Sequence, residues 1–194
     1  MKLLSHFPAI GVSNTYILGS RDGGKAILID PGRFDVTLLD LIENNNFDIS
    51  TVLVTHDHEN HIKGLRTLMK IYNPVIIAGN DEIAGFRTRP VDGGMKIDQS
   101  GFPVEIINVE GHSSDSRVFK VGPYIFTGDI LSAGRIGSSP SSYSRELLIH
   151  SIRDRLVSLD EDLLILPGHG PPTTISAEIR WNPDLRDEHR DSAD

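Results

Sequence analysis

Short apolar runs alternate with polar turns along the first third of the chain. The runs NTYILGS and KAILID flank the turn RDGG, a pattern that predicts a β-hairpin. Apolar positions recur at helical spacing in VTLLDLIENNN, and its three asparagines favour a helix end. A continuous apolar run, ISTVLVT, then predicts a buried strand. This pattern is typical of the α/β class.

The rest of the chain continues the alternation. NHIKGLRTLMKIY and SSYSRELLIHSIRDRLVSL predict helices, and the predicted strands are NPVIIAG, FPVEIINV, RVFKV, YIFTGD and DLLILPGHG. Residues 79–103 are Gly-rich and weakly periodic, and we expect a short helix, a turn at VDGG and loops there. A charged tail begins at about residue 184. Because no interdomain linker is visible, we predict a single domain over residues 1–194.

Five apolar runs end in the same way, with a polar residue and a tight turn. The junctions are LID-PG, LVT-HDH, NVE-GH, FTG-D and ILP-GHG. Strand ends in an open α/β layer meet at a common edge, where ligands bind. We therefore expect these turns to bring histidine and aspartate side chains to one edge of a sheet.

Composition limits the chemistry that these turns can carry. A formal charge of −8 argues against nucleic acid as a partner, and the absence of cysteine restricts any metal to nitrogen and oxygen ligands. No signal peptide is visible, and no apolar run approaches the roughly 20 residues of a membrane span. We expect a cytoplasmic protein with no membrane partner, and its oligomeric state stays open.

Three histidines crowd into the heptapeptide THDHENH, directly after a predicted strand. His56 and His58 converge on one ion if the chain turns off the strand, and His61 suits the first turn of the following helix. Imidazole is the usual nitrogen ligand of Zn²⁺. Crowded imidazoles gain nothing from packing, so the segment predicts ligands for two neighbouring metal positions.

Three further turns carry the same kind of residue: His112 in EGHSSDS, Asp129 in FTGD and His169 in LPGHG. With THDHENH, these motifs resemble the metallo-β-lactamase superfamily, specifically its short glyoxalase-II-like hydrolases, whose pattern is THxHxDH, GHTPGS, TGD and PGHG. The resemblance covers almost the whole chain. It implies a four-layer αββα sandwich with a metal site at one edge.

The resemblance also implies a ligand set and an activity. It assigns a first metal position to His56, His58 and His112, a second to His61 and His169, and a bridging role to Asp129. Zinc, in one or two sites, lowers the pKa of a bound water and polarises a substrate carbonyl. The implied activity is hydrolysis of a thioester or ester of a small metabolite, with a hydroxyacyl-glutathione thioester as the leading substrate.

Asn60 departs from the family pattern at a functional position. The family has an aspartate there, which ligates the second metal and accepts a proton, so Asn60 joins Asp129 among the predicted catalytic positions. Asparagine offers a neutral oxygen and is a poor proton acceptor. Two adjacent cations repel each other, so we expect the second site to be weakly or partly filled.

Other residues near the motifs have two interpretations each. Asp115 either replaces the charge missing at Asn60 or is a solvated turn aspartate. Arg135 either holds an anionic group of the substrate or is a solvated surface residue. Asp30, in LIDPG, suits hydrogen bonding to the site better than ligation.

Two alternatives to hydrolysis remain open. A persulfide-dioxygenase-like oxidoreductase resembles the same fold but uses a single iron, for which His56, His112 and Asp129 are suitable ligands. A degenerate member that binds without catalysis is supported by Asn60 alone. A nuclease is disfavoured because the chain is acidic and lacks an evident basic stripe.

Overall fold

Two six-stranded sheets form the centre of the computed structural model, which describes residues 1–8 and 12–186. The first sheet contains, in spatial order, β1 (Lys2–His6), β2 (Thr15–Gly19), β3 (Gly24–Ile29), β4 (Phe47–Leu53), β5 (Val75–Ala78) and β8 (Arg89–Pro90). The second contains β9 (Lys96–Gln99), β10 (Phe102–Asn108), β11 (Arg117–Val121), β12 (Tyr124–Gly128), β15 (Leu164–Pro167) and β16 (Thr173–Thr174). Two small ribbons pair β6 (Glu82–Ile83) with β7 (Phe86–Arg87) and β13 (Leu131–Ser132) with β14 (Arg135–Ile136).

Each sheet combines antiparallel and parallel pairing. In the first sheet, β1, β2 and β3 are antiparallel neighbours, and β3, β4, β5 and β8 are parallel. In the second, β9 to β12 are antiparallel, β15 runs parallel to β12, and β16 is antiparallel to β15. The parallel pairs β3–β4 and β12–β15 place their carboxyl ends at one edge of each sheet.

Helices cover the outer faces of the sheets. They are α1 (Val36–Glu43), α2 (Glu59–Ile62), α3 (Leu65–Ile71), α4 (Ser142–Ile152) and α5 (Ile175–Trp181), and α4 continues into a π-helical turn over Arg153–Val157. Three of them begin at a side chain that accepts a hydrogen bond from the first turn: Asp35 for α1, Ser141 for α4 and Thr174 for α5.

Three apolar clusters lie between the four layers of helices and sheets. The central cluster joins residues of both sheets, such as Ile27 and Phe119, across their facing sides. An outer cluster packs Leu38 of α1 and Leu68 of α3 on the first sheet, and another packs Leu148 of α4 on the second. This order confirms the predicted αββα sandwich. None of the helices in residues 1–8 and 12–186 combines the length and the apolar character needed to cross a bilayer.

The prediction of a short helix within residues 79–103 is wrong. The chain forms four short strands there, β6 to β9. Residues with positive φ, among them Gly85, Gly94 and Gly101, make the tight turns between and beside these strands. Such turns interrupt any helical period, so the apolar spacing in this region carries no helix.

The predicted helix NHIKGLRTLMKIY is divided into α2 and α3. Gly64 lies between them, and its amide donates to the carbonyl of Pro31 at 2.7 Å. A Cβ at Gly64 would lie 2.6 Å from the amide nitrogen of Phe34 and 2.7 Å from the oxygen of Pro31. This close approach to the turn after β3 ends one helix and starts the next.

Both ends of the chain contain elements that the pattern did not predict. β1 forms the edge of the first sheet, and α5 follows the last strands of the second. At the start of the predicted charged tail, Leu185 is buried and Asp184 pairs with Arg145. The remainder of that tail, residues 187–194, lies outside the described residues.

Candidate metal centre

The loops that carry the predicted ligands meet at one edge of the two sheets. Direct main-chain hydrogen bonds join them: the amide of Arg117 donates to Thr55 at 2.8 Å, and the amide of Gly168 donates to Gly128 at 2.7 Å. The segment before β2, in the first sheet, also contacts the loop after β15 in the second sheet, since the main-chain amide of Asn14 donates to the carbonyl of Gly168 at 2.7 Å. The strand ends therefore converge as the sequence predicted.

Two groups of side chains are close enough to surround cations. Site 1 comprises His56, His58, His112 and Asp129, and site 2 comprises His61, Asp129 and His169. Within each group, the candidate ligand atoms all lie within 4.8 Å of one another. The six predicted ligands are thus brought together, in the predicted division, and Asp129 is common to both groups.

The carboxylate of Asp129 turns one oxygen towards each site. Its Oδ1 lies 2.6 Å from Nδ1 of His169 and 3.3 Å from Nε2 of His61. Its Oδ2 lies 3.9 Å from Nε2 of His56. This orientation suits a carboxylate that bridges two cations.

Buried imidazole nitrogens without hydrogen-bond partners test whether a metal fits these residues. Among the described residues, Nε2 of His56, His61 and His112 is buried and makes no well-aligned hydrogen bond. An unsatisfied buried polar atom is costly, so native proteins rarely keep several together. Together with one carboxylate, these three nitrogens form a donor set that fits a divalent cation once Nε2 of His61, 3.3 Å from Oδ1 of Asp129, gives up its proton.

The other ring nitrogen of each of these histidines is fixed by a hydrogen-bonding partner. For His56 the partner is Oγ1 of Thr55 at 3.1 Å, and for His112 it is the carbonyl of Ser138 at 2.7 Å, which accepts from Nδ1. His61 is held through Nδ1 by Asp30. Such contacts orient metal-binding imidazoles and set their tautomer.

Histidines of the two sites differ in their pKa values. Burial, together with the neighbouring His61, lowers the pKa of His56 to about 2, which keeps its nitrogen free to ligate. Burial alone would lower the pKa of His61, but the carboxylates of Asp30 and Asp129 outweigh it and raise the pKa to about 9. Burial would also raise the pKa of Asp129, yet its contacts with His169 and His61 hold it well below the ordinary value.

Asp30 organises the turn between β4 and the histidine cluster. Its oxygens accept from the amide of Thr55 at 2.8 Å and from the hydroxyl of Thr55 at 2.7 Å, and Oδ2 lies 2.9 Å from Nδ1 of His61. It is buried and adopts a positive φ of 50°. Asp30 therefore has the predicted hydrogen-bonding role.

Replacing Asp30 with asparagine is expected to weaken site 2 because the amide group presents a donor where Thr55 and His61 need an acceptor. We expect metal affinity at site 2 to fall about 10- to 100-fold. The free energy of unfolding of the metal-free protein should fall by about 1–3 kcal/mol. Chelator competition and urea denaturation measure the two effects, with the exposed Asp22→Asn as control. Unchanged affinity at site 2 would contradict this role.

Asn60 is exposed in the first turn of α2, and its carbonyl accepts from the amide of Ser13 at 3.2 Å. Asp115 is buried, so its interpretation as a solvated turn residue is wrong. Neither group of candidate ligands includes Asp115, and its Oδ2 accepts from the amide of Asp57 at 2.7 Å. It therefore supports the site through the main chain rather than as a substitute ligand.

Arg135 is exposed at the rim of the site. It lines a cavity of about 250 Å³ together with Asp129, His169 and Ser132. The cavity opens directly onto the carboxylate of Asp129. The structure thus places the predicted substrate-binding arginine beside the candidate metal ligands.

Two residues that hold the PGHG turn were not identified from the sequence pattern. Nδ2 of Asn14 donates to the carbonyls of Pro167 at 3.0 Å and Gly170 at 2.9 Å, and the hydroxyl of Tyr16 donates to Pro167 at 2.8 Å. These bonds hold the turn that carries His169. In the sequence, Asn14 and Tyr16 belong to an ordinary apolar strand, so no local feature identifies them.

An αββα fold with shared histidine and aspartate ligands at the sheet edge defines a class of metal-binding proteins. The family model of the metallo-beta-lactamase superfamily matches residues 9–169. The chain belongs to this superfamily.

Relatives include both an uncharacterized protein and a named hydrolase. The chain is 32% identical to an uncharacterized protein of Mycobacterium tuberculosis, over 94% of this chain and 97% of that protein. It is 30% identical to the hydroxyacylglutathione hydrolase GloC of Haemophilus influenzae, over 84% of this chain and 89% of the relative.

Solved structures share the fold. ETHE1 from Myxococcus xanthus superposes with a TM-score of 0.84 at 24% identity, covering 94% of this chain and 84% of the other. TTHA1623 in a di-iron-bound form superposes with a TM-score of 0.77 at 26% identity, covering 93% and 98%. The chain thus shares its fold with a protein that has been solved in a di-iron-bound form.

Proposed function

We propose that the protein is a glyoxalase-II-like metallohydrolase that cleaves a thioester or ester of a small metabolite, with hydroxyacyl-glutathione-type thioesters as the leading substrates. The observation that carries the proposal is the set of three buried imidazole nitrogens that make no well-aligned hydrogen bond and lie beside Asp129. The relationship to GloC supports the substrate class. A cytoplasmic location is part of the proposal.

Six side chains would hold the metal: His56, His58 and His112 in site 1, His61 and His169 in site 2, and Asp129 in both. A divalent cation bound there supplies a nucleophilic water at neutral pH and polarises the substrate carbonyl. Asp129 supplies negative charge to both positions. Asn60 contributes no charge to site 2, so we propose that this site is weaker than site 1.

Arg135 would orient the substrate. Its exposed guanidinium at the cavity beside Asp129 and His169 suits a carboxylate on the part of the substrate that does not react. Arginine binds carboxylates through two parallel hydrogen bonds, which fix the direction of the ligand. The thioester carbonyl would then lie towards the ligand histidines.

Replacing Arg135 with alanine is expected to raise KM for an anionic thioester about 10- to 100-fold, since a hydrogen bond to a charged group contributes about 1.5–3 kcal/mol. The value of kcat should change much less, because the reacting atoms keep their ligands. Steady-state hydrolysis measures both constants. Arg21→Ala, in the turn at the opposite end of β3, is the control. Equal KM values for an anionic substrate and its neutral methyl ester in the wild type would contradict a charge-based role.

A mononuclear iron oxidoreductase is the second candidate. His56, His112 and Asp129 lie in one group, and a weak second site would leave one metal in place. The di-iron form of TTHA1623 shows that a related fold binds iron. This candidate differs from hydrolysis in both its metal and its need for oxygen.

Parallel assays separate the two candidates. Protein loaded with zinc or with iron is given a hydroxyacyl-glutathione thioester, and thiol release is followed; the same samples are given glutathione persulfide, and oxygen uptake is followed. Thiol release supports the hydrolase, whereas oxygen uptake by the iron form alone replaces it with the oxidoreductase. Metal-loaded protein that turns over neither substrate would contradict the proposed substrate class and favour a non-catalytic binding protein.

A further inference from the structure

Asp115 connects the loop that carries His112 to the loop that carries His56 and His58. Its side chain is 8% exposed, and its Oδ2 accepts from the amide of Asp57 at 2.7 Å. Nδ2 of Asn80 approaches the same oxygen at 3.4 Å. A distance of 2.7 Å between an amide nitrogen and an acceptor oxygen is that of a well-formed hydrogen bond.

The two peptide groups that flank His56 are both tied to this loop. The peptide after His56 contributes the amide of Asp57, which Asp115 holds. The peptide before it contributes the carbonyl of Thr55, which accepts from the amide of Arg117 at 2.8 Å. His56 and the following His58 are therefore set in position relative to His112 by Asp115 and Arg117.

The loop around Asp115 is itself held firmly. The buried guanidinium of Arg117 donates to the carbonyls of Ser116 at 2.9 Å, Ser114 at 3.2 Å and Val91 at 2.9 Å. Gly79 packs so closely against the loop that a Cβ there would clash with the carbonyl of Asp115. Asp115 thus has a fixed main chain from which to hold the amide of Asp57.

Site 2 has separate supports. Asp30 lies 2.9 Å from Nδ1 of His61, and Asn14 holds the turn that carries His169. Within the part of the chain that the structure describes, the side chain of Asp115 hydrogen-bonds to Asp57 and Asn80 and to neither of these supports. A change at Asp115 should therefore act on site 1 and spare site 2.

We propose that Asp115 is a positioning residue for site 1, which fixes His58 against His112 through the amide of Asp57 and so sets the metal affinity of that site. The inference rests on the proposed metal-binding function. The oxygen of Asp115, rather than its charge, makes the hydrogen bond. Asparagine can therefore replace it, whereas alanine cannot.

The test measures Zn²⁺ affinity at each site separately by competition with a chromophoric chelator. His169→Ala provides a background in which site 1 is intact, and His58→Ala one in which site 2 is intact. Asp115→Ala and Asp115→Asn are introduced into both backgrounds. Asp57→Asn is the matched control, because it removes a nearby exposed charge and keeps the main-chain amide.

We expect Asp115→Ala to lower Zn²⁺ affinity at site 1 about 10- to 100-fold and to leave site 2 unchanged. Asp115→Asn and Asp57→Asn should keep affinity at site 1 close to that of the parent. Equal losses at both sites, unchanged affinity at site 1, or an equal loss in Asp115→Asn would each overturn the proposal. Absence of Zn²⁺ binding in the wild type would instead overturn the proposed function.

Amide hydrogen exchange gives a second readout that does not depend on the folding of Asp115→Ala. In the wild type and in Asp115→Asn, the amide of Asp57 should exchange slowly, because its hydrogen bond to the side chain at position 115 must open first. Fast exchange of this amide in the folded wild-type protein would overturn the proposal.

Discussion

Replacing Asp129 with asparagine is expected to lower metal affinity at both sites together. Asp129 is the one carboxylate common to the two groups of ligands, and each of its oxygens faces a different group. Removing the anion from a buried, charge-paired site costs about 3–5 kcal/mol. At 1.36 kcal/mol per factor of ten, the expected loss is roughly 10²- to 10⁴-fold in affinity.

Hydrolysis should fall in parallel with the metal content, and chelator competition with thioester assays on the same samples measures both. Asp57→Asn is the control, since this exposed carboxylate lies between two ligands in sequence and belongs to neither group. If Asp129→Asn lost metal from one site and retained full affinity at the other, Asp129 would be a ligand of one cation rather than a bridge.

Replacing Asn60 with aspartate is expected to strengthen site 2 by about 10- to 100-fold. The change adds a negative charge at the position where the family has its aspartate. Two unit charges 4 Å apart interact by about 4 kcal/mol at an effective dielectric constant near 20, and a divalent cation doubles this. Desolvation and solvent screening at the exposed position 60 offset most of the gain. A net gain of roughly 1.4–2.8 kcal/mol gives the stated range.

Titration with Zn²⁺ in the His58→Ala background isolates site 2 for this measurement. Asn73→Asp is a matched control, because it makes the same chemical change at an exposed turn before β5, away from the carboxyl ends of the strands. A gain in affinity together with faster thioester hydrolysis indicates a hydrolase limited by its second metal. Unchanged affinity would show that Asn60 does not face the cation and that site 2 is complete without it.

The regular elements follow from local patterns because the two faces of each central strand pack against apolar layers, as Ile17 and Leu18 of β2 do in different clusters. The runs at β2, β3, β4, β11 and β12 alternate or remain apolar over their whole length, and each becomes a strand. The prediction of a short helix within residues 79–103 is wrong because this region contains turns with positive φ, for example at Gly85 and Gly94. Such turns depend on where the neighbouring strands lie. The division at Gly64 likewise depends on contact with the distant turn at Pro31.

The histidine cluster was predictable from its own crowding, and His112, Asp129 and His169 followed from the resemblance of their motifs to the family pattern. What holds those ligands was not predictable, except at Asp30. Asn14 reaches across more than 150 residues of chain to the PGHG turn, and Asp115 binds an amide 58 residues away. Such long-range hydrogen bonds produce no periodic pattern in the sequence, so only the folded structure reveals them.

Elemental analysis of protein purified without added metal is the direct test of the metal centre. We expect at least one tightly held transition-metal ion per chain, with zinc in excess over iron and the second ion below full occupancy. The Asp129→Asn protein, purified in the same way, should have lost most of this metal. A wild-type metal content no higher than that of Asp129→Asn would contradict the claim that these histidines and Asp129 form a metal centre.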